Sequence, residues 1–450
     1  LMGLGNFANP SATLEYFNEE SKNLRGLMNV YLDVKPISNL TLRTSFTPDI
    51  RTTYLKNYTP NFYVSSTQRD TIGHLRKENN FNINYVWDNT ATYEKRFGNH
   101  SIKGMIGFSA THYSGELLRV TGENPREYGA YTQYLDLGNQ TGFRVENNPY
   151  DKVNALSYYG RLNYSFKDRY LMTATLRRDG SSKFPKADRW ATLPSLGLGW
   201  IMTAEDFMKN TKWLDYLKLR ASWGMLGNDN IPQNAYTSTI TTDAMYSAIF
   251  GPYGTTAVEQ GYNDLGSAPE RLKWETTTEF DFGLDANLFG NRLNIVADYY
   301  RRVTKDAIFQ LSVPATDGAG GSTRFGNNAE VLNRGFEFSV GWSDRLTNDL
   351  SYNIGGNITT IHNEILSLPP GVAPVWSGNA YNGYQATYTQ TGRPIGEFYV
   401  LEVGGIFQNW DDVHNYVNKE ERMIMPNAVP GEFKYVDRNN DGIIDNLDRM

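Results

Sequence analysis

Hydrophobic and polar residues alternate along many segments of the chain, with the period of two that is typical of strands facing two different environments. The first clear segment carries apolar residues at positions 28, 30, 32 and 34 and mainly polar residues between them. A turn over Pro36 to Asn39 is predicted to lead into a second alternating segment at 40–46. This pair of segments predicts a hairpin with one apolar and one polar face.

The same alternation returns along the rest of the chain, in segments of about the nine to eleven residues that a tilted strand needs to cross a bilayer. We interpret the following segments as strands: 80–87, 102–108, 156–166, 170–177, 193–202, 214–226, 277–288, 292–302, 335–343 and 349–360. In the strongest hairpin, Leu162 and Ala174 belong to the apolar face, and Asn163 and Thr173 belong to the polar face. We expect the apolar face, which includes Leu284 further along, to contact lipid.

Two kinds of connection alternate between these segments. Short turns at 167–169, 289–292 and 344–348 stand between long polar segments, which lie near 47–78, 111–154, 227–273, 303–333 and 361–450. Short turns at one rim and long loops at the other are typical of outer-membrane barrels. A soluble β-sandwich usually has shorter strands and domains of about 100 residues. The predicted fold class is therefore all-β: a large transmembrane antiparallel β-barrel with long extracellular loops.

The composition restricts the possible chemistry of the protein more than it restricts the possible fold. The mean hydropathy of −0.53 fits an alternating barrel, in which lumen-facing residues offset lipid-facing ones. No window is apolar over the length of a transmembrane helix, so helical spans are excluded. The absence of Cys excludes disulfides, thiolate metal sites and cysteine catalysis. With a net charge of −6 and scattered Lys and Arg, no nucleic-acid partner is expected.

A series of short phrases has the content and order found in one family of outer-membrane proteins. The phrases are Leu176–Phe184, Trp190–Ala191, Pro194–Trp200, Leu217–Gly224, Leu272–Thr277, Asn333–Glu337, Gly392–Tyr399 and the acidic run Tyr435–Arg449. Through them the chain resembles the SusC/RagA family of TonB-linked, or TonB-dependent, outer-membrane transporters, most densely from about residue 155 onward. The sequence has no nucleophile elbow, phosphate-binding glycine loop or paired acid motif in a convincing context, so an enzyme is not expected.

The resemblance implies a barrel of about 22 strands with a plug, in the outer membrane of a Gram-negative, Bacteroidota-like bacterium. It also implies a SusD-like surface lipoprotein as partner, energy supplied by TonB, and oligosaccharides or peptides as substrates. Residues 1–450 are then expected to be a fragment of a single transmembrane barrel domain. We find neither a plug nor a TonB-binding segment in them, and we expect both in an N-terminal part outside this chain.

Two other functions fit the same strand pattern. A secreted β-rich adhesion or carbohydrate-binding protein would also use loop aromatics and a calcium loop. A passive porin would have the barrel without the plug. An importer should require detergent for purification, whereas a secreted adhesion or carbohydrate-binding protein should not. An upstream sequence without a plug would favour the porin.

One polar stretch, 374–394, contains a group of aromatic residues that is suited to a sugar or a peptide. Aromatic rings stack on such ligands, and nearby Asn side chains hydrogen-bond them. The predicted substrate-contacting residues are Trp376, Tyr381, Tyr384 and Tyr388. The alternative is that these rings pack among themselves.

An acidic motif within 431–450 has the spacing of a calcium loop, with Gly442 at the sixth position. Its oxygen ligands at positions 1, 3, 5, 7, 9 and 12 are Asp437, Asn439, Asp441, Ile443, Asp445 and Asp448. An EF-hand differs by having Glu at the last position and a helix before the loop, whereas 433–436 is predicted to be extended. The motif predicts Ca²⁺ as a structural cofactor, with a metal-free Asp/Asn/Gly turn as the alternative.

Overall fold

The computed structural model describes residues 9–123, 134–135, 139–233, 235–237, 240–241, 248–249, 258–259, 263–264, 269, 271–312, 323–368, 375–379 and 385–450. The chain forms two compact units. The first consists of Leu1–Lys212, Tyr216–Trp274 and Val313–Arg324, and the second of Trp213–Asp215, Glu275–Ser312 and Phe325–Met450. The interpretation of residues 1–450 as part of one barrel domain stays a prediction.

Long antiparallel strands build the first unit, after a short helix α1 (Pro10–Tyr16). They are β1 (Asn18–Leu27), β2 (Val30–Ile37), β3 (Leu40–Thr59), β4 (His74–Phe97), β5 (His100–Glu123), β6 (Asn139–Phe166), β7 (Tyr170–Ser181), β8 (Trp190–Ile201) and β9 (Leu214–Asn228). Their order in the sheet is β1, β3, β4, β5, β6, β7, β8, β9, and β2 also pairs with β3. From β3 onward each strand therefore pairs with the next one along the chain, as in an up-and-down barrel wall.

Short elements complete the first unit. Two 3-10 helices, Met202–Ala204 and Asp206–Met208, lie between β8 and β9. Pairs of two-residue strands join Phe62–Tyr63 to Arg69–Asp70, Ile240–Thr241 to Asn263–Asp264, and Ala248–Ile249 to Val258–Glu259.

The second unit contains four long strands and a smaller C-terminal part. The long strands, which pair in chain order, are β10 (Glu275–Leu288), β11 (Leu293–Ser312), β12 (Thr323–Arg345) and β13 (Ser351–Ser367). The smaller elements are β14 (Val375–Asn379), β15 (Gln385–Thr389), β16 (Glu397–Phe398), β17 (Val403–Ile406), α2 (Trp410–His414), β18 (Phe433–Tyr435) and a 3-10 helix at Asn446–Asp448. Phe407, Val413 and Ala428 form a small buried cluster there. Among the described residues, no helix has the length and apolar composition to cross a membrane.

The short turns lie where the sequence predicts them. Lys167 and Asp168, between β6 and β7, both have φ of 53°, the left-handed conformation that a two-residue hairpin turn requires. Phe289, Gly290 and Asn291 also have positive φ, between β10 and β11. These two turns are confirmed.

The first predicted turn is shorter than the sequence indicates. The β2 strand continues to Ile37, so only Ser38 and Asn39 remain as the turn. The register of β2 against β3 shifts between Val34 and Ile37. This irregularity places Pro36, which has no N–H to donate, at a position that interrupts the regular ladder.

The predicted strands are confirmed, but several extend far into segments that the sequence predicts as loops. The main extensions are 47–59, 74–78, 111–123, 139–154, 303–312, 323–333 and 361–367. The loop prediction is wrong for these residues. In 139–154 polar residues occupy both alternating sets, so the period-two signal disappears while the backbone ladder continues.

Candidate functional site

Charged side chains pair across neighbouring strands on the polar face of the first unit. Arg25 of β1 donates two hydrogen bonds of 2.8 Å to the Asp49 carboxylate of β3. Arg119 of β5 lies between two carboxylates, 2.6 Å from Glu78 of β4 and 2.7 Å from Glu146 of β6. Opposite charges at neighbouring strand positions neutralise one another, so this face is hydrophilic without a strong local charge.

A row of carboxylates lies along β10 in the second unit. Glu279, Asp281 and Asp285 alternate along one side of the strand, in register with Arg302, Tyr300 and Val296 of β11. The Arg302 guanidinium lies 2.9 Å from the Glu279 carboxylate. The row is therefore partly balanced by a cation, which suits a water-filled lumen.

In the first unit, the face of the sheet opposite the ion pairs is apolar and exposed. Ile106 is 68% exposed and Leu176 is 57% exposed. Leu162 and Ala174 are direct cross-strand neighbours on this face. On the other face, the Thr173 hydroxyl donates to the Asn163 side-chain oxygen at 3.0 Å. Large apolar side chains in such numbers stay exposed only where lipid or another protein covers them.

Two of the family-like phrases pack against each other at one end of the first unit. Phe184 and Leu272 are fully buried. The Phe184 and Trp274 rings lie 5.1 Å apart, and the indole N–H of Trp274 donates to the backbone oxygen of Arg189 at 3.0 Å. The phrases at 176–184 and 272–277 are thus held together by packing. The sequence signal for this contact is weak: a Phe and a Trp, each within a mainly polar segment.

A third phrase anchors the C-terminal part of the second unit to the end of β13. The Gly392 N–H donates to the Ile365 carbonyl at 2.8 Å, and the Ile365 N–H donates to the Arg393 carbonyl at 2.9 Å. Gly392 and Gly396 have φ of 82° and 64°, so both glycines are required by backbone conformation.

The Asp412 side chain lies in the C-terminal part of the second unit, in the first turn of α2. A hydrogen bond from the backbone N–H of Gln408, followed by the Lys434 ammonium at 3.2 Å, holds the pKa of the Asp412 carboxyl below its ordinary value. The Lys434 ammonium also lies 4.6 Å from the centre of the Tyr416 ring. These contacts connect α2 to β18 directly before the acidic motif.

The predicted aromatic site is described only in part. Tyr381 and Tyr384 lie outside the described residues, and the backbone of Trp376 in β14 is in register with Tyr388 of β15. The Tyr388 ring stacks on Tyr399 with 4.8 Å between centroids and 22° between planes. For Tyr388, packing with another ring is therefore present, and contact with a substrate stays a prediction.

The acidic motif forms a tight loop in which backbone N–H groups bind the side-chain oxygens. The Gly442 N–H donates to one Asp437 oxygen at 2.8 Å, and the Ile443 N–H donates to Asp441 at 2.9 Å. Asp448 is fully buried, and its carboxylate accepts from the N–H groups of Arg438 and Asp445. The loop follows β18, so the extended conformation predicted before it is confirmed for 433–435.

One oxygen in this loop has no partner. The Asp437 Oδ1 atom is buried and has no hydrogen bond in the described part of the chain, while Oδ2 binds Gly442. Gly442 has φ of 86°, as the sharp turn at the sixth position requires. Within the same described residues, no three acidic, histidine or cysteine side chains converge as they do around a bound metal. Calcium binding at 437–448 therefore stays a prediction.

Comparison with known sequences connects these features to one family. The chain matches the family described as "TonB dependent receptor-like, beta-barrel" over residues 4–440. It is 31% identical over 467 residues to TonB-dependent receptor SusC of Bacteroides thetaiotaomicron, covering 98% of this chain and 42% of that protein. It is 28% identical over 447 residues to TonB-dependent receptor P3 of Formosa agariphila, with the same coverage of 98% and 42%. The chain thus spans less than half the length of these relatives.

Solved structures show the same fold. The RagAB peptide transporter aligns with a TM-score of 0.76 at 22% identity, covering 95% of this chain and 45% of that chain. The RagAB peptide importer in its open-open state aligns with a TM-score of 0.74 at 23% identity, covering 88% and 41%.

The predicted fold class, the SusC/RagA resemblance and the outer-membrane location are confirmed by these matches. Members of the family are receptors and transporters. The chain belongs to the TonB-dependent receptor-like β-barrel family of Gram-negative outer-membrane proteins.

Proposed function

We propose that this chain supplies barrel strands of a TonB-dependent importer that carries oligosaccharides or peptides, and that its role is transport and not catalysis. The observation that carries the proposal is the two-sided sheet, in which cross-strand ion pairs lie on one face and exposed apolar residues on the other. In an outer-membrane barrel such a sheet turns its polar face to the lumen. The names of the relatives support uptake, and the substrate stays open between the two classes.

Uptake by cells tests this function with the full-length protein. Labelled oligosaccharides and labelled peptides are offered to cells that have or lack the gene, each in the presence and absence of TonB. We expect uptake of one substrate class that requires both the gene and TonB. Uptake that persists without TonB would indicate a passive porin. Surface binding without uptake, by a protein that dissolves without detergent, would indicate an adhesion or carbohydrate-binding protein.

The partner of this importer is a SusD-like surface lipoprotein that docks at the long-loop rim, with TonB acting through residues outside this chain. Support comes from the SusC relationship and from the segments 229–274 and 368–450, which lie outside the long strands and are longer than a strand connection requires. Purification of the tagged protein from its native membrane in mild detergent tests the docking. A lipoprotein recovered at equal amount is expected, whereas repeated recovery of the importer alone contradicts the partnership.

Tyr388 is the described residue of the aromatic group that is available for a test of substrate contact. Its ring already stacks on Tyr399, so a sugar or peptide would contact the remaining ring face or the hydroxyl group. Tyr388→Ala is expected to weaken binding of the transported substrate, and Tyr388→Phe is expected to retain the part that depends on stacking. Unchanged binding in both variants would leave Tyr388 with a packing role only.

A second proposal concerns the loop at 437–448, which we propose to be a structural Ca²⁺ site. Its donors are all oxygens, the ligand type that Ca²⁺ prefers, and the buried Asp437 Oδ1 atom lacks a partner that a cation would supply. Asn439, Asp441, the Ile443 carbonyl, Asp445 and Asp448 provide the remaining ligands. Without a preceding helix and with Asp in the last place, we expect affinity of about 10⁻⁴ to 10⁻³ M, the range of extracellular modules.

Calorimetric titration of the full-length protein with Ca²⁺ tests this site. The intact protein should release or absorb heat on binding, and the double variant Asp437→Ala with Asp441→Ala should not. A matched control is Asp411→Asn, which changes an exposed carboxylate of α2 outside the loop. Equal heat in the intact protein and the double variant would make the acidic motif a turn without metal.

A further inference from the structure

An open groove runs across the apolar face of the first unit. Its floor and walls come from one register row across β3 to β7, which consists of Leu42, Ala91, Ile106, Gly160 and Leu176. Small residues alternate with large ones in this row, so the sheet surface is low at Ala91 and Gly160 and high beside them. The groove encloses about 760 Å³, a volume that accommodates one or more acyl chains.

The next register row toward the long-loop rim brings two polar groups onto the same face. It consists of Thr44, Asn89, Phe108, Tyr158 and Arg178, and all five line the groove. The Nδ2 atom of Asn89 is buried and has no hydrogen-bond acceptor among the described residues. Arg178 is exposed and has no ion-pair partner in that part of the chain. The two donors lie toward opposite ends of this row, three strands apart, and the charged one, Arg178, borders the apolar groove at β7.

We infer that Arg178 lies toward the long-loop end of the apolar band, within a side-chain length of the membrane interface. It follows Tyr170, beside the short turn, by eight residues, which at about 3.3 Å per residue along a tilted strand is about 19 Å of an apolar band about 25 Å tall. Its guanidinium lies 5.4 Å from the centre of the Trp190 ring. Trp190 and Tyr158 stack with 6.1 Å between centroids, as in an aromatic girdle. The remaining distance of about 6 Å is within reach of an Arg side chain, so the guanidinium can extend to the lipid headgroups at low cost in free energy.

We propose that this groove is a binding site for a phosphorylated, multiply acylated lipid of the outer leaflet. The acyl chain fills the row from Leu42 to Leu176, and the phosphate accepts hydrogen bonds from the Arg178 guanidinium. Charge complementarity selects this occupant, because a guanidinium binds phosphate oxygens in a bidentate geometry that a neutral headgroup does not offer. The site lies on the outside of the strands, so it is independent of transport through the lumen.

Lipid binding to the full-length protein in detergent tests the proposal. The probes are diphosphoryl lipid A, the same lipid without its phosphates, and inorganic phosphate, with bound lipid counted by native mass spectrometry. The unaltered protein should prefer the phosphorylated lipid about tenfold, the effect of one charge-assisted hydrogen bond. Arg178→Gln should abolish this preference. Gly160→Leu, which fills the groove, should weaken binding of both lipids.

Two controls separate this site from general effects. Arg161→Gln removes the same charge from the polar face, where Arg161 donates to Thr175, and should leave the preference intact. Arg178→Lys keeps the charge without the bidentate geometry and should retain part of the preference, which also covers the case that Gly160→Leu fails to fold. No preference in the unaltered protein, or a preference that survives Arg178→Gln, would overturn the proposal. Competition by inorganic phosphate alone would identify a free-anion site instead.

Discussion

The β5–β6 hairpin contains two regions with the same backbone and different side-chain patterns. In 100–110 and 155–166 apolar and polar residues alternate, and the apolar set is exposed, as Ile106 is. In 111–123 and 139–154 both faces carry polar residues, among them Glu116 on the face that is apolar in 100–110 and Arg119 on the other face. The strand pairing continues through both regions with only local register shifts. The alternation of apolar and polar residues thus appears only where the two faces of a strand meet different surroundings. The backbone hydrogen bonds between strands do not depend on that difference.

The largest effect is expected when an arginine is introduced on the apolar face, and its size should depend on the position along the strand. Leu162→Arg lies in the alternating region and should destabilise the protein by about 2 to 4 kcal/mol, as for a cation near the membrane midplane. Leu118→Arg lies on the same side of the sheet in the extension, where water replaces lipid, and should cost about 1 kcal/mol or less. Unfolding in urea from lipid vesicles measures both free energies.

Asn163→Arg is the matched control within the membrane-crossing region. Its side chain lies on the polar face, where Thr173 donates to it, so the added charge should remain hydrated and cost little. Equal losses of stability at Leu162 and Asn163 would void the assignment of faces. Equal losses at Leu162 and Leu118 would contradict the distinction between the two regions.

The strands could be predicted from the sequence wherever one face is apolar and the other is polar. The turns at Lys167–Asp168 and Phe289–Asn291 and the strands between them followed from alternation and turn chemistry. The extensions such as 139–154 could not be found, because water on both faces removes the periodic signal. The packing of Phe184 on Trp274 joins residues far apart in sequence, and no local pattern records such a contact.

The candidate site was predictable to a smaller extent. The spacing of the acidic motif predicted a turn with Gly442 at its bend, and the backbone has that form. The unpartnered Asp437 oxygen and the buried Asp448 depend on how the loop folds, which spacing does not specify. The groove beside Arg178 depends on cross-strand register, so it is visible only when the strands are aligned.

The second largest effect is expected at Gly335 in β12, where the backbones of β12 and β13 approach closely. The alternation of apolar and polar residues does not reveal such a contact. A Cβ atom added to Gly335 would lie 2.2 Å from the carbonyl oxygen of Thr360 on β13, so the strands would have to separate. Gly335→Ala should therefore destabilise the protein by about 1 to 3 kcal/mol, as overpacking does. Gly341→Ala in the same strand has open space around the added atom and serves as the control. Unfolding in urea compares them, and equal stability of the two variants would contradict the close approach.

A smaller effect is expected from ion pairs in the extension. Arg119 bridges the carboxylates of Glu78 and Glu146 and is only about one-third exposed, with 32% of its side-chain surface accessible. Arg119→Met should cost about 1 to 2 kcal/mol, because two charge-assisted hydrogen bonds are lost in a partly screened position. Arg144 also contacts Glu146, at 3.0 Å, but its side chain is 80% exposed. Arg144→Met should cost less than about 0.5 kcal/mol.

Salt provides the check on the Arg119 prediction. High salt should reduce the difference between Arg119→Met and the unaltered protein only slightly, because partly buried pairs are weakly screened. A penalty for Arg144→Met as large as that for Arg119→Met would mean that exposure does not set the strength of these pairs in the extension.

The smallest expected effect is a pH dependence at Asp188, in the connection between β7 and β8. The Arg271 guanidinium lies 2.5 Å from the Asp188 carboxylate and, through this hydrogen bond, holds the pKa of Asp188 below its ordinary value. An aspartate whose pKa is lowered in the folded state stabilises that state above the unfolded pKa of about 3.9. This contribution is lost as the pH falls through the folded pKa.

Because the Arg271 side chain is 68% exposed, the contribution of its ion pair with Asp188 to stability should stay under about 1 kcal/mol. Asp188→Asn should therefore unfold slightly more easily than the unaltered protein at pH 7. The difference should shrink as the pH falls below about 4 and vanish below the folded pKa of Asp188. Urea unfolding at a series of pH values measures the difference, and a constant difference across the series would mean that the carboxylate acts through shape and not through charge.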